Sequence, residues 1–584
     1  MAKVNGGELL VQMLESAGIR ELFTLHGGHL DPILQAAHDH GFRLIDTRHE
    51  QAAAHAADGW ARTTGKPGVA VVTAGPGVTD AVTGVANAFL DSTPILVIGG
   101  AAPLRDAETL PLQGGFDQLA LFTPITKWAH RVTHTERIPD LVAQALRIAT
   151  RGRPGPVYLD IPIDVLFSFA DTERIYVPDA TQPQALPVPS PAAVEQAIEW
   201  LQQAERPVIL AGGGAWFSGA GAELAAFAER TRIPVFSNSK AQGMLPADHP
   251  LCGRGVMNLP GLASLGLGQT DCVLLLGIRV GLFTGGRSRM MIPAEARLIQ
   301  VDIEAEEIGR NRDVALGIVC DCREALVALG AAAADRECPE RKSWVEGVQL
   351  VREGHRMLFA QALEGDEAPL HPYRLAHAIA ESVERDAIIV ADGGETATWM
   401  EMMVRVYRGG HFLSHGYLGC LGTGMPFSIA AKVAHPERQV VCIVGDGSVG
   451  LNFSEFDTMV RHDLPIVVVI NNDQQWGMSA HGQELLFGKD RRVVTDLGAT
   501  RYDLAAAGFG CHSEYVVEPA DLLPALERAL ASGRPSCVNV MTDPSVISPI
   551  TLAMVGGGGL GPQGEGSEKS EGKVSIPYYD DLES

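Results

Sequence analysis

"CIVGDGSVGLNFSEF", residues 442–456, is the stretch on which the reading turns. An apolar run that begins before Cys442 is broken by Gly445-Asp446-Gly447, as a buried strand would be where it leaves its sheet. In α/β proteins the loops at the carboxyl ends of parallel strands face the ligand crevice. Gly-Asp-Gly there sets a carboxylate between two residues without side chains, so that a ligand can approach the backbone. By itself the motif describes a tight turn with a solvated aspartate equally well. What separates the two readings is "NND" at 471–473, which follows one helical stretch ("EFDTMVRHD") and one strand later. Neighbouring strand ends then present Asp446 and Asn472/Asp473 together, with Gly445 and Gly447 beside them. Such oxygens next to open N–H groups suit a magnesium-bound diphosphate, because Mg2+ takes oxygen ligands near about 2.1 Å and phosphate takes helix N-terminal amides.

The rest of the chain is in keeping with a large α/β protein. Its 584 residues are too many for one core and point to three domains. With 46% hydrophobic and 20% charged residues it is globular, and a net charge of −24 argues against a nucleic-acid partner. Nine cysteines form no CxxC pair, and Cys320 and Cys322 stand too close for a zinc pair, which leaves buried free thiols of a reducing compartment. The start, "MAKVNGGELLVQML", carries no apolar leader, and no apolar run reaches the ~18 residues of a membrane span. The expectation is a cytoplasmic protein without a membrane segment.

Strand-like runs alternate with amphipathic helical stretches. In the first block they are "ELFTL" (21–25), "RLIDT" (43–47), "GVAVVTA" (68–74), "PILVIGG" (94–100) and "GPVYLDIP" (155–162). After the proline-rich linker 177–191 come "PVILAGGG" (207–214), "IPVFS" (233–237), "CVLLLG" (272–277) and "RLIQVDI" (297–303). Charged helical sequence at 335–368 leads to "AIIVADGG" (387–394), "QVVCIVGDG" (439–447), "PIVVVINND" (465–473) and "PSCVNVM" (535–541). We therefore expect an α/β protein of three doubly wound parallel-sheet domains, 1–180, 190–335 and 365–547, with a Gly-rich tail at 548–584.

Residues 445–473 resemble the thiamine diphosphate signature of the acetolactate synthase/oxalyl-CoA decarboxylase group, and residues 1–545 follow that group's three-domain order. The resemblance implies a pyrimidine-binding first domain, a central domain and a diphosphate-binding third domain. Asp446 becomes a metal ligand. The group usually has Asn 27 residues further on, where this chain has Asp473; we expect Asp473 as ligand, with Asn472 as the alternative, and the Gln475 carbonyl as a third donor. "RHEQAAAHAADG" (48–59) matches the segment of the catalytic glutamate, Glu50, whose carboxyl would favour the pyrimidine imino tautomer that removes the C2 proton. "GGETATW" (393–399) supplies Glu395 and Thr396 for the diphosphate, together with Gly445, Gly447 and Ser448; Leu421 in "GCLGTGMP" would bend the cofactor, and Met478 would lie beside its rings. In this group Glu50 and the diphosphate loop come from different subunits, which implies a homodimer or homotetramer.

For the substrate, "LHGGHLDP" offers His26 and His29, "PLQGGFDQ" offers Gln113, and the helix after the metal loop offers His481, Gln483 and Glu484. The chain looks most like a 2-hydroxyacyl-CoA lyase, which cleaves its substrate to an aldehyde or ketone and formyl-CoA, with Glu484, His26 or His29 as base. The alternative is an acetolactate synthase-like enzyme acting on 2-keto acids. Arg405 and Arg408 match positions that meet CoA phosphates in decarboxylase relatives, and the tail with Tyr578 and Tyr579 resembles a lid over CoA. Arg153, Gly213, Arg279, Asp302, Ile303 and Asp321 match places where relatives bind ADP or FAD, although similar loops also stand empty.

Overall fold

The computed structural model describes residues 3–179, 185–286 and 291–555. Three six-stranded sheets, all parallel, divide the chain as expected. The first holds strands between Glu21 and Pro162, the central one strands between Pro207 and Val319, and the last strands between Ile388 and Met541. With each sheet's strands counted in chain order, the first and last sheets share the order 2-1-3-4-6-5, while the central sheet has 3-2-1-4-5-6. The order reverses between Glu21–Leu25 and Gly68–Val72, between Pro207–Ala211 and Cys272–Leu276, and between Ile388–Asp392 and Val440–Gly445. Loops diverge at such points and leave a crevice.

The inner strands are apolar runs because helices cover both sheet faces. Cys272–Leu276 (CVLLL) and Ile388–Asp392 (IIVAD) are buried at every position. The first and last domains share one core, in which Phe23, Ala53 and Val72 join Val390, Phe427 and Cys442. At its centre, helix Glu50–Thr64 lies against helix Gly424–Ala434. A Cβ on Gly59 would come within 2.8 Å of Phe427 Cα, and the His55 ring meets Phe427 edge-on on the same face. The helix starts at His49, whose Nδ1 accepts the Gln51 N–H (3.1 Å), and ends at Gly65, where φ is +71°. Glu50 is thus the first residue of a helix welded to the other site-bearing domain.

Candidate active site

The last sheet builds one half of the site at its switch point. Strand Ile388–Asp392 ends at Gly393, whose φ of +103° lets the chain turn into helix Gly394–Met403. A Cβ on Gly393 would meet Gly445 N, Ser448 Oγ and Thr396 Cβ, each at 3.3 Å, and one on Gly445 would meet Thr396 Oγ1 at 3.2 Å. Met478 lies 3.1 Å from the same point on Gly394, and the Trp476 ring fills the space over Gly447 (2.6 Å). Gly393, Gly445, Thr396, Ser448 and Met478 therefore line one hollow.

Asp446, 1% exposed, and Asp473, half-buried, face each other there. Burial, then the adjacent Asp473 carboxyl, pushes Asp446 up to about 8, and burial raises Asp473 as well. Asp446 Oδ2 and Asn471 Oδ1 are buried without a hydrogen-bond partner, while Asn471 Nδ2 donates to Thr396 Oγ1 (2.9 Å). Two crowded carboxyl groups and orphaned acceptor oxygens are a donor set for a hard cation. Asn472 is committed elsewhere: its Nδ2 donates to Asn539 Oδ1 (3.0 Å) and its Oδ1 accepts Gln474 N–H (3.2 Å). Gln474 takes φ +61°, turning the chain so that Gln475 follows Asp473 at the edge of the hollow.

Leu421, half-buried, sits on a turn pinned on both sides. Asn452 Nδ2 donates to Gly422 O (2.7 Å), and Gly424 N–H donates to Asp392 Oδ2 (2.8 Å). Asp392 is fully buried, pushed up to about 6 by that burial, and its Oδ1 has no partner.

The first sheet builds the other half. Glu50 is 6% exposed, and burial, helped by the nearby Asp80 carboxyl, raises its pKa and favours the protonated form. Its Oε1 lies 2.9 Å from a Cβ position on Gly77, beside Thr73, whose Oγ1 is buried without a partner. Gln118 ties two strand ends together, accepting Gly75 N–H (2.8 Å) and donating to Gly100 O (2.9 Å). Gln113, at φ +59°, packs over Gly75 (2.9 Å), and His29 packs over Gly100 (2.9 Å). Glu50, Thr73, Gln113 and His29 share this rim. His29 is held neutral by burial, which lowers its basicity. His26 is exposed and lies 3.0 Å from Asp31.

The sequence of each of the three domains matches known proteins. Residues 4–121 match the thiamine pyrophosphate enzyme N-terminal TPP binding domain, 194–329 the central domain and 392–540 the C-terminal TPP binding domain. A probable acetolactate synthase of Mycobacterium bovis is 38% identical over 94% of this chain and 97% of its own. The acetolactate synthase isozyme 1 large subunit of Escherichia coli is 32% identical (93% and 94%), and 2-hydroxyacyl-CoA lyase 2 of Danio rerio is 33% identical (87% and 86%). The chain belongs to the thiamine pyrophosphate enzyme family.

Within this thiamine pyrophosphate enzyme several expected site residues are occupied otherwise. Glu395 is 7% exposed, and its Oε2 stands close to Asp473, the two carboxylates meeting the same point over Gly477 (3.4 and 2.7 Å). Its Oε2 pairs with His481 Nδ1 (2.9 Å), and its Oε1 accepts Thr551 Oγ1 (2.6 Å) and Ser548 N–H (3.2 Å). It fastens the start of helix Pro549–Val555 to the diphosphate-side loop. Glu484 lies 3.3 Å from Arg492 Nη1, and Gln483 is bonded to the Val493 backbone. Arg405 pairs with Glu381 (3.3 Å) and Arg408 is exposed. Both follow the far end of the ten-residue helix Gly394–Met403, about 15 Å along its axis from the hollow. Residues 556–584, with Tyr578 and Tyr579, lie outside the described residues.

Gly213, Arg279, Asp302, Ile303 and Asp321 do gather at the carboxyl edge of the central sheet, but their polar groups are engaged. Arg153 donates to Ser92 Oγ (2.8 Å) and Glu307 Oε1 (3.1 Å), and Arg279 to Leu90 O (2.5 Å). Asp302 accepts Glu304 N–H (2.9 Å), and Asp321 caps its helix through Arg323 and Glu324 N–H. Lys240 covers Gly213 at 3.0 Å and donates to Asp91 O. The residues that sequence reading passed over (Thr73, Asp80, Gln118, Asp392, Asn452) are polar groups in apolar surroundings or on helix faces, and only their packing reveals them.

Proposed function

We propose that the chain holds thiamine diphosphate through Mg2+ bound by Asp446, Asp473 and the Gln475 carbonyl, and uses it to cleave a short 2-hydroxyacyl-CoA to an aldehyde or ketone and formyl-CoA. When bound, the cofactor supplies the carbon nucleophile and the electron sink. The protein's part is orientation and proton transfer. Thr396, Ser448 and the bare backbone at Gly445 take the diphosphate, with Gly447 packed under the Trp476 ring, while Leu421 and Met478 hold the ring system from the apolar side. Glu50, whose burial favours the protonated carboxyl, exchanges a proton with the pyrimidine. The carrying observation is that His29 and Gln113 share the rim with Glu50: a neutral imidazole can take the 2-hydroxyl proton. Glu484, paired with Arg492, and the exposed His26 are the other candidate bases. Leu110 and Leu112, 82% and 84% exposed just ahead of Gln113, support a homodimer or homotetramer in which a second copy covers this rim. Among the described residues no helix is long and apolar enough to cross a membrane. ADP in the central crevice would have to displace Lys240 and Arg153 from their partners, and we give it no part in the reaction.

A second reading, an acetolactate synthase-like enzyme on 2-keto acids, is favoured by the 38% identity to the mycobacterial relative. One assay separates them. The protein with thiamine diphosphate and Mg2+ is offered pyruvate, or a 2-hydroxyacyl-CoA such as the isobutyryl derivative. Formyl-CoA with release of the carbonyl product supports the lyase; acetolactate without formyl-CoA overturns it in favour of the second reading.

A further inference from the structure

Two residues before Glu50, the Arg48 backbone N–H donates to both carboxyl oxygens of Glu455 (3.0 and 3.3 Å). Glu455 belongs to the diphosphate-side domain, where it opens helix Glu455–Arg461, and it is completely buried. Its Oε2 also accepts Thr458 Oγ1 (2.6 Å). The end of the same helix grips the strand before the turn: Arg461 Nη2 donates to Asp46 O (2.7 Å), Arg461 Nη1 lies 2.5 Å from Asp46 Oδ2, and His462 Nε2 lies 2.7 Å from Asp46 Oδ1. The Arg48 guanidinium, in turn, lies 3.6 Å from Asp457. The turn 46–50, which carries the chain from strand Arg43–Asp46 into helix Glu50–Thr64, is thus held from the other domain at both ends.

The contact of Glu455 is unusual for a domain interface. A fully buried carboxyl costs several kcal/mol unless it is hydrogen-bonded, and here its chief partner is a backbone group, not a complementary side chain. Arg48 precedes the helix cap, so no intrahelical acceptor is available for its N–H. Fixing that N–H fixes the direction in which the first helical residue projects.

We propose that Glu455 is a positioning residue for Glu50: it holds the Arg48 backbone so that the Glu50 carboxyl stands at the height its proton transfer requires. The segment that carries Asp446 runs through Asn452, anchored on Gly422 O (2.7 Å), directly into Glu455. One continuous stretch therefore joins the metal-side hollow to the turn of the glutamate. The inference rests on Glu50 being the proton-transfer group, so the test carries Glu50→Gln beside it.

The experiment measures hydrogen–deuterium exchange at C2 of thiamine diphosphate bound to the Mg2+-loaded protein, with cofactor affinity by calorimetry and Tm on the same samples. Glu455→Ala should slow exchange about ten- to a hundredfold, the penalty of a misplacement near 1 Å, while affinity stays within about threefold. Glu455→Gln offers the Arg48 N–H one carbonyl oxygen in place of two and should slow exchange by an intermediate factor, about two- to tenfold; it serves as the test if the alanine variant does not fold. Exchange at the wild-type rate in a folded, cofactor-binding Glu455→Ala, or in Glu455→Gln where alanine does not fold, would overturn the proposal while Glu50→Gln abolishes exchange. If Glu50→Gln itself exchanges normally, the role of Glu50 fails first, and the role of Glu455 falls with it.

Discussion

At the switch point of the last sheet, Gly393 and Gly445 leave a hollow between Thr396 and Ser448, and Asp446 and Asn471 keep acceptor oxygens without protein partners. At the switch point of the central sheet, Gly212, Gly213 and Gly214 are just as bare. There, however, a Cβ on Gly212 would strike Gly277 O at 2.3 Å and one on Gly214 would strike Gly277 Cα at 2.8 Å. Those glycines let two backbones touch. Lys240 lies over the third, and Arg153, Arg279, Asp302 and Asp321 have partners within the protein. Glycine at a strand end makes room in both sheets. Unsatisfied polar atoms facing that room distinguish a place where a ligand replaces missing contacts from one already filled by the fold.

The largest expected effect is on the metal-side hollow. Asp446→Ala removes a carboxylate that nothing else replaces, and calorimetry with Mg2+ should show thiamine diphosphate affinity falling by about a hundredfold or more. Affinity within a few-fold of wild type would put the cation elsewhere. Glu50→Gln should leave affinity in place and slow C2 proton exchange by about 10²–10⁴, the usual share of a general acid or base. NMR of the bound cofactor reads this directly, and it tests whether the two half-sites divide binding from proton transfer.

A smaller effect should appear in the cofactor-free protein. Folded Asp446 holds its proton up to about 8, whereas an ordinary aspartate releases it near 3.8. Between those values the folded state binds the extra proton, so stability must fall as pH rises through this window. Melting curves should show Tm declining between about pH 5 and about pH 8, and Asp446→Asn should flatten that decline. Mg2+ with thiamine diphosphate should raise Tm most at the upper end, where both carboxyl groups are ionised. A slope unchanged in Asp446→Asn would remove the crowded pair from the account.

The smallest effect belongs to the central crevice. Burial opposes ionisation of Asp91, but Lys240 and Arg62 outweigh it and hold the carboxyl well below the usual range. Lys240→Ala leaves Arg62 in place (2.7 Å) and should cost about 1–3 kcal/mol by denaturant unfolding, without altering thiamine diphosphate affinity. Loss of cofactor binding in a folded Lys240→Ala would show that the two crevices are not independent.

Legibility in the sequence followed burial. Inner strands such as Val440–Gly445 and Cys272–Leu276 are legible from their apolar runs, even where a polar residue interrupts the run, as Gln300 does in Arg297–Asp302. The strands that escaped notice, Trp128–Arg131, Cys252–Gly255, Leu316–Val319, Phe412–Ser414 and His512–Val516, are all at sheet edges. Trp128–Arg131 is half-buried throughout and His512–Val516 nearly so, and half-covered strands need no continuous apolar run. In the site, Gly445-Asp446-Gly447 and Asp473 were legible because their spacing carries the chemistry. The partners of Glu395, His481, Ser548 and Thr551, lie 86 to 156 residues away, and no local pattern announces them. The same holds for Glu455, which reads locally as an ordinary first-turn helix acid.

The most direct test of the contrast is a titration of the wild-type protein with thiamine diphosphate and with ADP, each with and without Mg2+, followed by calorimetry. The account predicts saturable thiamine diphosphate binding that requires Mg2+, and no saturable heat from ADP under either condition. ADP binding to the central crevice, or thiamine diphosphate binding that is indifferent to Mg2+, would contradict it.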